Sequence, residues 1–289
     1  MFRETKRSNS LLVASIVGAA FTFSGCTASS EPEPTEQRSA ELQPPAVDST
    51  IAIDGDWRTR AVQEVERVRS EHPELHATIA SLEPRQTRAG FLRFTTSVIH
   101  DPAVAPVFLA RLAEGGEPPA VRAAIVEALP RTGGEYAHAV LDLLSEESDP
   151  EVRAALVASL RRAPASAAVA GLERALHDDD PAIRTIAAET AAMHTEGHAL
   201  ADALRSTLAD DHGPARAAAA RALGVFGIVD GSSELAALVE DDVAEVRLEA
   251  LRALTRVDPT AASRLGTLEV LQRDADPRVA RLARTIRSE

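Results

Sequence analysis

Between residues 101 and 288 the apolar positions recur at helical spacing, in short blocks separated by acidic turns. Val152, Leu156 and Leu160 fall on one stripe at i, i+4 and i+8. Val121, Ile125 and Leu129 do the same, as do Ala215, Ala219 and Leu223, and Val246, Ala250 and Leu254. Small residues beside these stripes, such as Ala155, Ala187 and Ala218, allow helices to approach closely. A shorter apolar block precedes each stripe: Tyr136 to Leu144, Ala167 to Leu176, Leu200 to Leu208, Ser233 to Val239, and Ala261 to Leu271. Asp149 before Pro150 is a natural N-cap followed by a natural first helical residue. The pattern therefore predicts pairs of helices, the second longer than the first.

The turn before each second helix has a recurring form: an acidic or polar residue, a Pro or small residue, an aliphatic, then Arg. The arginines stand at Arg122, Arg153, Arg184, Arg216 and Arg247, with gaps of 31, 31, 32 and 31 residues. A last copy, from Asp276-Pro277, puts Ala280 at the Arg position with Arg281 beside it. Such a period is the mark of a repeat array. One hairpin of this kind cannot bury its apolar face alone, whereas stacked neighbours can. The predicted fold is all-α: an α-solenoid, a superhelix of stacked antiparallel helix pairs, with about six units over residues 101–289. Upstream, residues 51–100 read as an N-terminal capping helix and a divergent first repeat. Trp57, Ala61, Val65 and Val68 share a face after Asp56; Glu74 to Leu82 and Pro84 to Ile99 follow, with Phe91 and Phe94 as core. Arg278, Arg281, Arg284 and Arg287 give the last helix a polar face that would end the stacking.

The D-P-x-V-R signature and its period resemble HEAT repeats, particularly the short phycobilisome-lyase-type form. The resemblance implies a ladder in which the helix-starting Asp and the Arg link adjacent units. Arg122, Arg153, Arg184, Arg216 and Arg247 would then pair with acidic groups of neighbouring repeats. His212 stands where other turns have Asp, which points to a weaker rung or one shifted to Asp211. The resemblance also implies that second helices line a concave face. Their non-core positions, expected to contact a protein partner, are Val126, Glu127, Val157, Ala158, Glu189, Arg221, Leu251 and Arg252.

The N-terminus has a different character. Arg3, Lys6 and Arg7 precede an apolar run from Leu11 to Phe23, which at ~1.5 Å per residue is shorter than a ~30 Å bilayer core. Phe23-Ser24-Gly25-Cys26 then resembles the lipobox of bacterial lipoproteins. That implies a signal peptide over 1–25 and acylation of Cys26, with outer-membrane sorting in a two-membrane host because Thr27, not Asp, follows. A short transmembrane anchor and an ordinary secretory peptide with a leftover thiol are the alternatives. Residues 26–50, rich in Pro, Glu and Ser, form a tether averaging roughly 25–30 Å end to end.

Composition narrows the chemistry. The formal charge is −13, and seven Phe, one Trp and one Tyr offer few stacking platforms. Nucleic acid is not an expected partner, because its binding draws on cationic contacts and stacking. A single cysteine excludes an internal disulfide and a Cys-based zinc site. His194-Thr195-Glu196-Gly197-His198 is the one metal-like cluster; the competing reading is an exposed turn. Asp178-Asp179-Asp180, Asp210-Asp211-His212 and Asp241-Asp242 recur on one edge, either as helix caps and dipole partners or as a stripe for Ca²⁺ or a basic partner. HEAT-like hydroxylases hold iron with His-Glu pairs, but only the reverse order, Glu71-His72, occurs here. The expectation is a non-enzymatic, envelope-anchored scaffold or adaptor without cofactor, meeting a protein on its concave face and the membrane through lipid. The alternative is a metal-dependent or lyase-like enzyme on the same scaffold.

Overall fold

The computed structural model describes residues 57–80, 100–101, 103–132 and 135–286. The expected signal peptide and tether, with Cys26, and Asp56, Phe91, Phe94 and Arg287 lie outside them. Helix α1 (Trp57–Glu71) is followed by α2 (Pro73–Ala80). Trp57, Ala61 and Val68 are buried on one face of α1, and Val65 is half-buried. This face packs on α2 and on α3 (Val104–Glu114). Arg58 lies 4.7 Å from the centroid of the Trp57 ring.

From α3 onward the described chain forms helix pairs. Helix α3 precedes α4 (Pro119–Thr132), and α5 (Ala137–Glu146) precedes α6 (Pro150–Ser159), which ends in a 3₁₀ turn at Leu160–Arg162. Then α7 (Ala165–Ala175) pairs with α8 (Pro181–Met193). A 3₁₀ turn at Gly197–Leu200 leads into α9 (Ala201–Thr207), which pairs with α10 (Gly213–Phe226). Next come α11 (Ser232–Leu238) and α12 (Ala244–Val257). The last pair is built from α13 (Pro259–Ser263), α14 (Leu268–Leu271) and α15 (Pro277–Thr285). The described residues are helical without a strand, and the architecture is an α-solenoid. No described helix is long and apolar enough to cross a membrane.

Second helices stack in sequence: α4 on α6, α6 on α8, α8 on α10, α10 on α12, and α12 on α15. Each also touches a first helix, so it is enclosed on several sides. The consequence is a buried arc much wider than one stripe. In α4, Val121, Ala123, Ala124, Ile125, Val126, Ala128 and Leu129 are all buried. The predicted i, i+4, i+8 stripes are buried throughout. Three positions expected at the partner surface are not surface at all: Val126, Val157 and Leu251 have no solvent exposure. They lie inside hydrophobic cores shared between helices, which a single-helix periodicity does not register.

Alanine and glycine set how near the helices come. A Cβ on Gly224 of α10 would lie 2.8 Å from the Cα of Ala253 in α12. The two backbones are in direct contact there. Helix α10 then ends at Gly227, whose φ of 68° is left-handed, and the Ile228 amide donates to the Leu223 carbonyl at 3.2 Å.

Two elements differ from the periodicity. The block Ala261 to Leu271 is two short helices, α13 and α14, separated around Gly266. Glycine is a poor helix former, and the break lets Leu268 and Leu271 join Val239, Leu248, Val279 and Ala283 in a separate terminal core. At the end of the stack, Arg278 reaches back to Glu245 of α12 at 2.8 Å, while Arg281 and Arg284 are exposed.

Replacing Gly224 with Val should lower stability by about 1–3 kcal/mol, because a Cβ cannot be placed without separating two backbones. The adjacent exposed Val225→Ala should stay within about 0.5 kcal/mol of the parent. Urea denaturation followed by circular dichroism measures both.

Candidate functional site

From α6 onward, each turn before a second helix opens with a carboxylate two residues ahead of the helix cap. Glu147, Asp178, Asp210, Asp241 and Asp274 accept the backbone N–H of Asp149, Asp180, His212, Val243 and Asp276 at 2.8–2.9 Å. This ties the turn and aims the remaining lone pairs back along the stack. The arginine of the preceding second helix meets them with its planar fork. Arg184 donates from Nε and Nη2 to the two oxygens of Asp210 at 2.6 and 2.8 Å. Arg216 does the same to Asp241 at 2.8 and 2.9 Å, and Arg247 to Asp274 at 2.8 and 2.8 Å. Arg122 grips Glu147 at 3.1 and 2.9 Å. The Arg153–Asp178 rung is looser, at 3.3 and 3.5 Å.

The third nitrogen, Nη1, turns inward to the arginine's own turn. Arg184 Nη1 donates to the Asp178 and Asp179 carbonyls at 3.0 and 3.2 Å. Arg216 and Arg247 repeat this on Asp210 and Asp211 and on Asp241 and Asp242. One residue thus serves two arginines: the carboxylate of Asp210 holds Arg184, and its carbonyl holds Arg216. The result is a continuous relay from Arg122 to Asp274.

The expected arginine ladder is present, but its acid is not the helix-starting Asp. Asp149, Asp180 and Asp276 use their side chains on amides of their own first turns. The His212 side chain makes no capping bond, yet the rung there is not weakened. Arg184 binds Asp210, with Asp211 as an additional partner at 2.9 Å. The acidic edge is resolved in the same terms. Asp178, Asp210 and Asp241 are rung carboxylates, Asp180 is a cap, and Asp211 and Asp242 stay exposed beside their arginines. Neither Asp241 nor Asp242 caps α12 with its side chain.

Electrostatics follow this geometry. The Arg184 fork, with the His212 amide assisting against desolvation, holds the Asp210 carboxyl at about 2. At Asp241 burial is the largest single influence and pushes upward, but the Arg216, Val243 and Asp242 hydrogen bonds together leave it depressed. Asp274 is lowered by Arg247.

The His194–His198 segment is a turn. Glu196 N–H donates to His194 Nδ1 at 3.1 Å, so Nε2 carries the proton and donates to the Ala163 carbonyl at 3.2 Å. Both nitrogens of this buried ring are in use, and it fastens the end of α8 to the preceding pair. Gly197 is confined as well: a Cβ would lie 2.1 Å from the Ala191 carbonyl oxygen and 2.5 Å from the Phe226 ring. His198 is exposed, 3.8 Å from Glu196. No group of three or more His, Cys, Asp or Glu among the described residues could hold a metal ion.

The expected partner positions that remain accessible lie one on each of five successive second helices, as a ridge; Met193 of α8, Val225 of α10 and Arg256 of α12 are exposed as well. Ala158, Arg221 and Arg252 are exposed, and Glu127 and Glu189 are half-buried. Arg221 pairs with Glu189 at 3.0 Å across α8 and α10, while Arg252 pairs with the buried Glu249 at 2.6 Å. A cleft of about 200 Å³ opens beside Glu127 and Ala158, between the ends of α4 and α6. A larger one of about 400 Å³ lies between α1, α3 and α5, lined by Trp57 and Tyr136. Burial raises the Tyr136 phenol to about 12, against the opposing pull of Arg162.

The family model of HEAT repeats matches residues 105–193 and 137–224, so HEAT repeats are found in the chain. These residues span α3 to α10 and include the rungs of Arg122, Arg153 and Arg184. No curated protein matches the chain.

Asp210→Asn keeps the turn but removes the charge that faces Arg184, and should cost about 1.5–3 kcal/mol at neutral pH. A depressed carboxylate stabilises above its ordinary value of 3.8 and loses that contribution as pH falls towards 2. The gap between wild type and Asp210→Asn should therefore be constant from about pH 5 to 8 and close below about pH 4. Urea midpoints across that range check it. His194→Ala, which leaves the buried Ala163 carbonyl without its donor, should cost about 1–3 kcal/mol in the same assay.

Proposed function

We propose that this protein is a non-catalytic, lipid-anchored scaffold of a bacterial cell envelope that holds a partner protein along the row of second helices. The observation that carries the reading is the ridge. Glu127, Ala158, Glu189, Arg221 and Arg252 recur on five successive second helices, above a core that takes most of their apolar positions. A rigid row that alternates small, acidic and basic groups suits an extended or helical segment of another chain. HEAT repeats commonly mediate protein interactions, and their presence here supports that assignment. Val126, Val157 and Leu251 belong to the supporting core and have no part in the contact.

The anchor rests on the N-terminal pattern. Ser24 and Gly25 before Cys26, after the apolar run, support cleavage and acylation at Cys26, and Thr27 supports delivery to the outer membrane. Several acyl chains give stable attachment where one does not. The Pro-, Glu- and Ser-rich residues 26–50 would then separate the anchor from the repeats along the chain.

Cys26→Ser should move the protein from the membrane fraction to the soluble fraction and abolish incorporation of labelled fatty acid. If the variant stays membrane-bound and labelled, the anchor is wrong. Crosslinking in cells followed by mild detergent extraction should recover a stoichiometric partner protein. Its yield should fall when Arg221→Glu and Glu189→Arg are combined, a swap that preserves their ion pair but inverts the ridge. A stoichiometric metal or a bound chromophore in elemental and absorbance analysis, with no partner recovered, would instead favour the enzymatic alternative.

A further inference from the structure

The cleft between the ends of α4 and α6 has a charge character opposite to that of the whole chain. The protein carries a formal −13, yet Arg131, Arg161 and Arg162 all line this one cleft of about 200 Å³. Elsewhere on the array most guanidiniums are engaged: the five rungs, Arg221 with Glu189, Arg252 with Glu249, and Arg205 with Asp202 and Glu234, while Arg174, Arg256, Arg273 and Arg281 are exposed without an ion pair to any described residue. Among the described residues Arg131, Arg161 and Arg162 are all exposed and none makes an ion pair or hydrogen bond. The one carboxylate on the cleft, Glu127, already has an interaction of its own.

Basic residues near helix C-termini are favoured by the helix dipole, and this accounts for each arginine singly. It does not account for three of them sharing one concavity with a single carboxylate that is itself engaged. The floor adds a second constraint. Pro130 and Ala158 are small and apolar, which suits the methylene groups of a side chain better than a bare, strongly hydrated anion. The cleft also runs directly into the ridge at Glu127 and Ala158. Resting on the scaffold reading above, we propose that this cleft binds an acidic segment of the partner protein. Two or more Asp or Glu carboxylates would be taken by Arg131, Arg161 and Arg162, with their stems over Pro130 and Ala158. In an extended segment, side chains on one face repeat every ~6.8 Å, so neighbouring acids on that face can reach different arginines.

Fluorescein-labelled hexaglutamate, titrated by anisotropy against the full-length protein in mild non-ionic detergent, tests the cleft directly. Hexaglutamine and inorganic phosphate serve as comparison probes. Hexaglutamate should bind, hexaglutamine should not, and raising salt should weaken binding. Combining Arg131→Gln, Arg161→Gln and Arg162→Gln should reduce affinity by roughly tenfold or more, since exposed ion pairs are individually weak but additive here. Arg174→Gln, at a helix end away from the cleft, should have no effect. All four positions are exposed, and unchanged circular dichroism verifies that the variants fold. Equal binding by the triple variant, no binding by wild type, or competition by phosphate as strong as by unlabelled hexaglutamate would each overturn the proposal. Partner recovery by the triple variant at wild-type yield would sink the cleft while leaving the scaffold standing. Arginine-dependent hexaglutamate binding with no partner recovered would do the reverse.

Discussion

A second helix in this array has no solvent-facing half to speak of. It lies against the second helix before it, the one after it, and at least one first helix, so its apolar and small residues extend most of the way around. Only stacking can supply that many walls. Val126 and Val157 belong to a single core that runs from Trp57 to Ala262, so each unit completes the core of the next. At about 25 cal/mol per Å² of apolar surface, this shared burial dominates the stability of the stack. Alanine and glycine are the residues that permit it, as the contact between Gly224 and Ala253 shows most directly.

Burial of this sort is non-directional, and by itself it would tolerate a range of offsets between units. The arginine relay removes that freedom. A bidentate fork accepts a carboxylate in one plane and at one distance, while Nη1 is fixed by carbonyls of its own turn. Because Asp210 and Asp241 each serve two arginines, neighbouring rungs are geometrically coupled. The near-constant separation of each arginine from its acid, 25 to 27 residues, is this coupling expressed along the chain. The His194 ring makes a similar connection one unit back, from Nε2 to the Ala163 carbonyl, while its Nδ1 accepts from the Glu196 amide of its own turn.

With the core and the turns so committed, the accessible second-helix surface is where the proposed partner would meet the array. On most of that surface charges are matched in pairs. The cleft at Arg131, Arg161 and Arg162 gathers three that are not. An acidic protein that assembles unpaired arginines at one concavity, beside the ridge assigned to a partner, is complementary to a segment as acidic as itself. The larger cleft near Trp57 and Tyr136 lacks such a charge signature.

The sequence alone was sufficient for the all-α class, the 31-residue period, the helix order and the buried stripes. Those features depend on residue type and spacing within a single helix or turn. Asp149 before Pro150 announces a cap wherever it folds, and Val152, Leu156 and Leu160 share a face in any α-helix. The relay's arginines were legible for the same reason. Their partners were not, because whether an arginine meets the capping Asp or the acid two residues earlier depends on how two turns are placed in space. The recurrence of Glu147, Asp178, Asp210, Asp241 and Asp274 ahead of the caps was the signal available. The width of the buried arc, the break at Gly266 and the gathering of Arg131 with Arg161 and Arg162 were likewise decided by tertiary structure. Each depends on how many neighbours a helix has and how closely they approach, which a one-dimensional period does not contain.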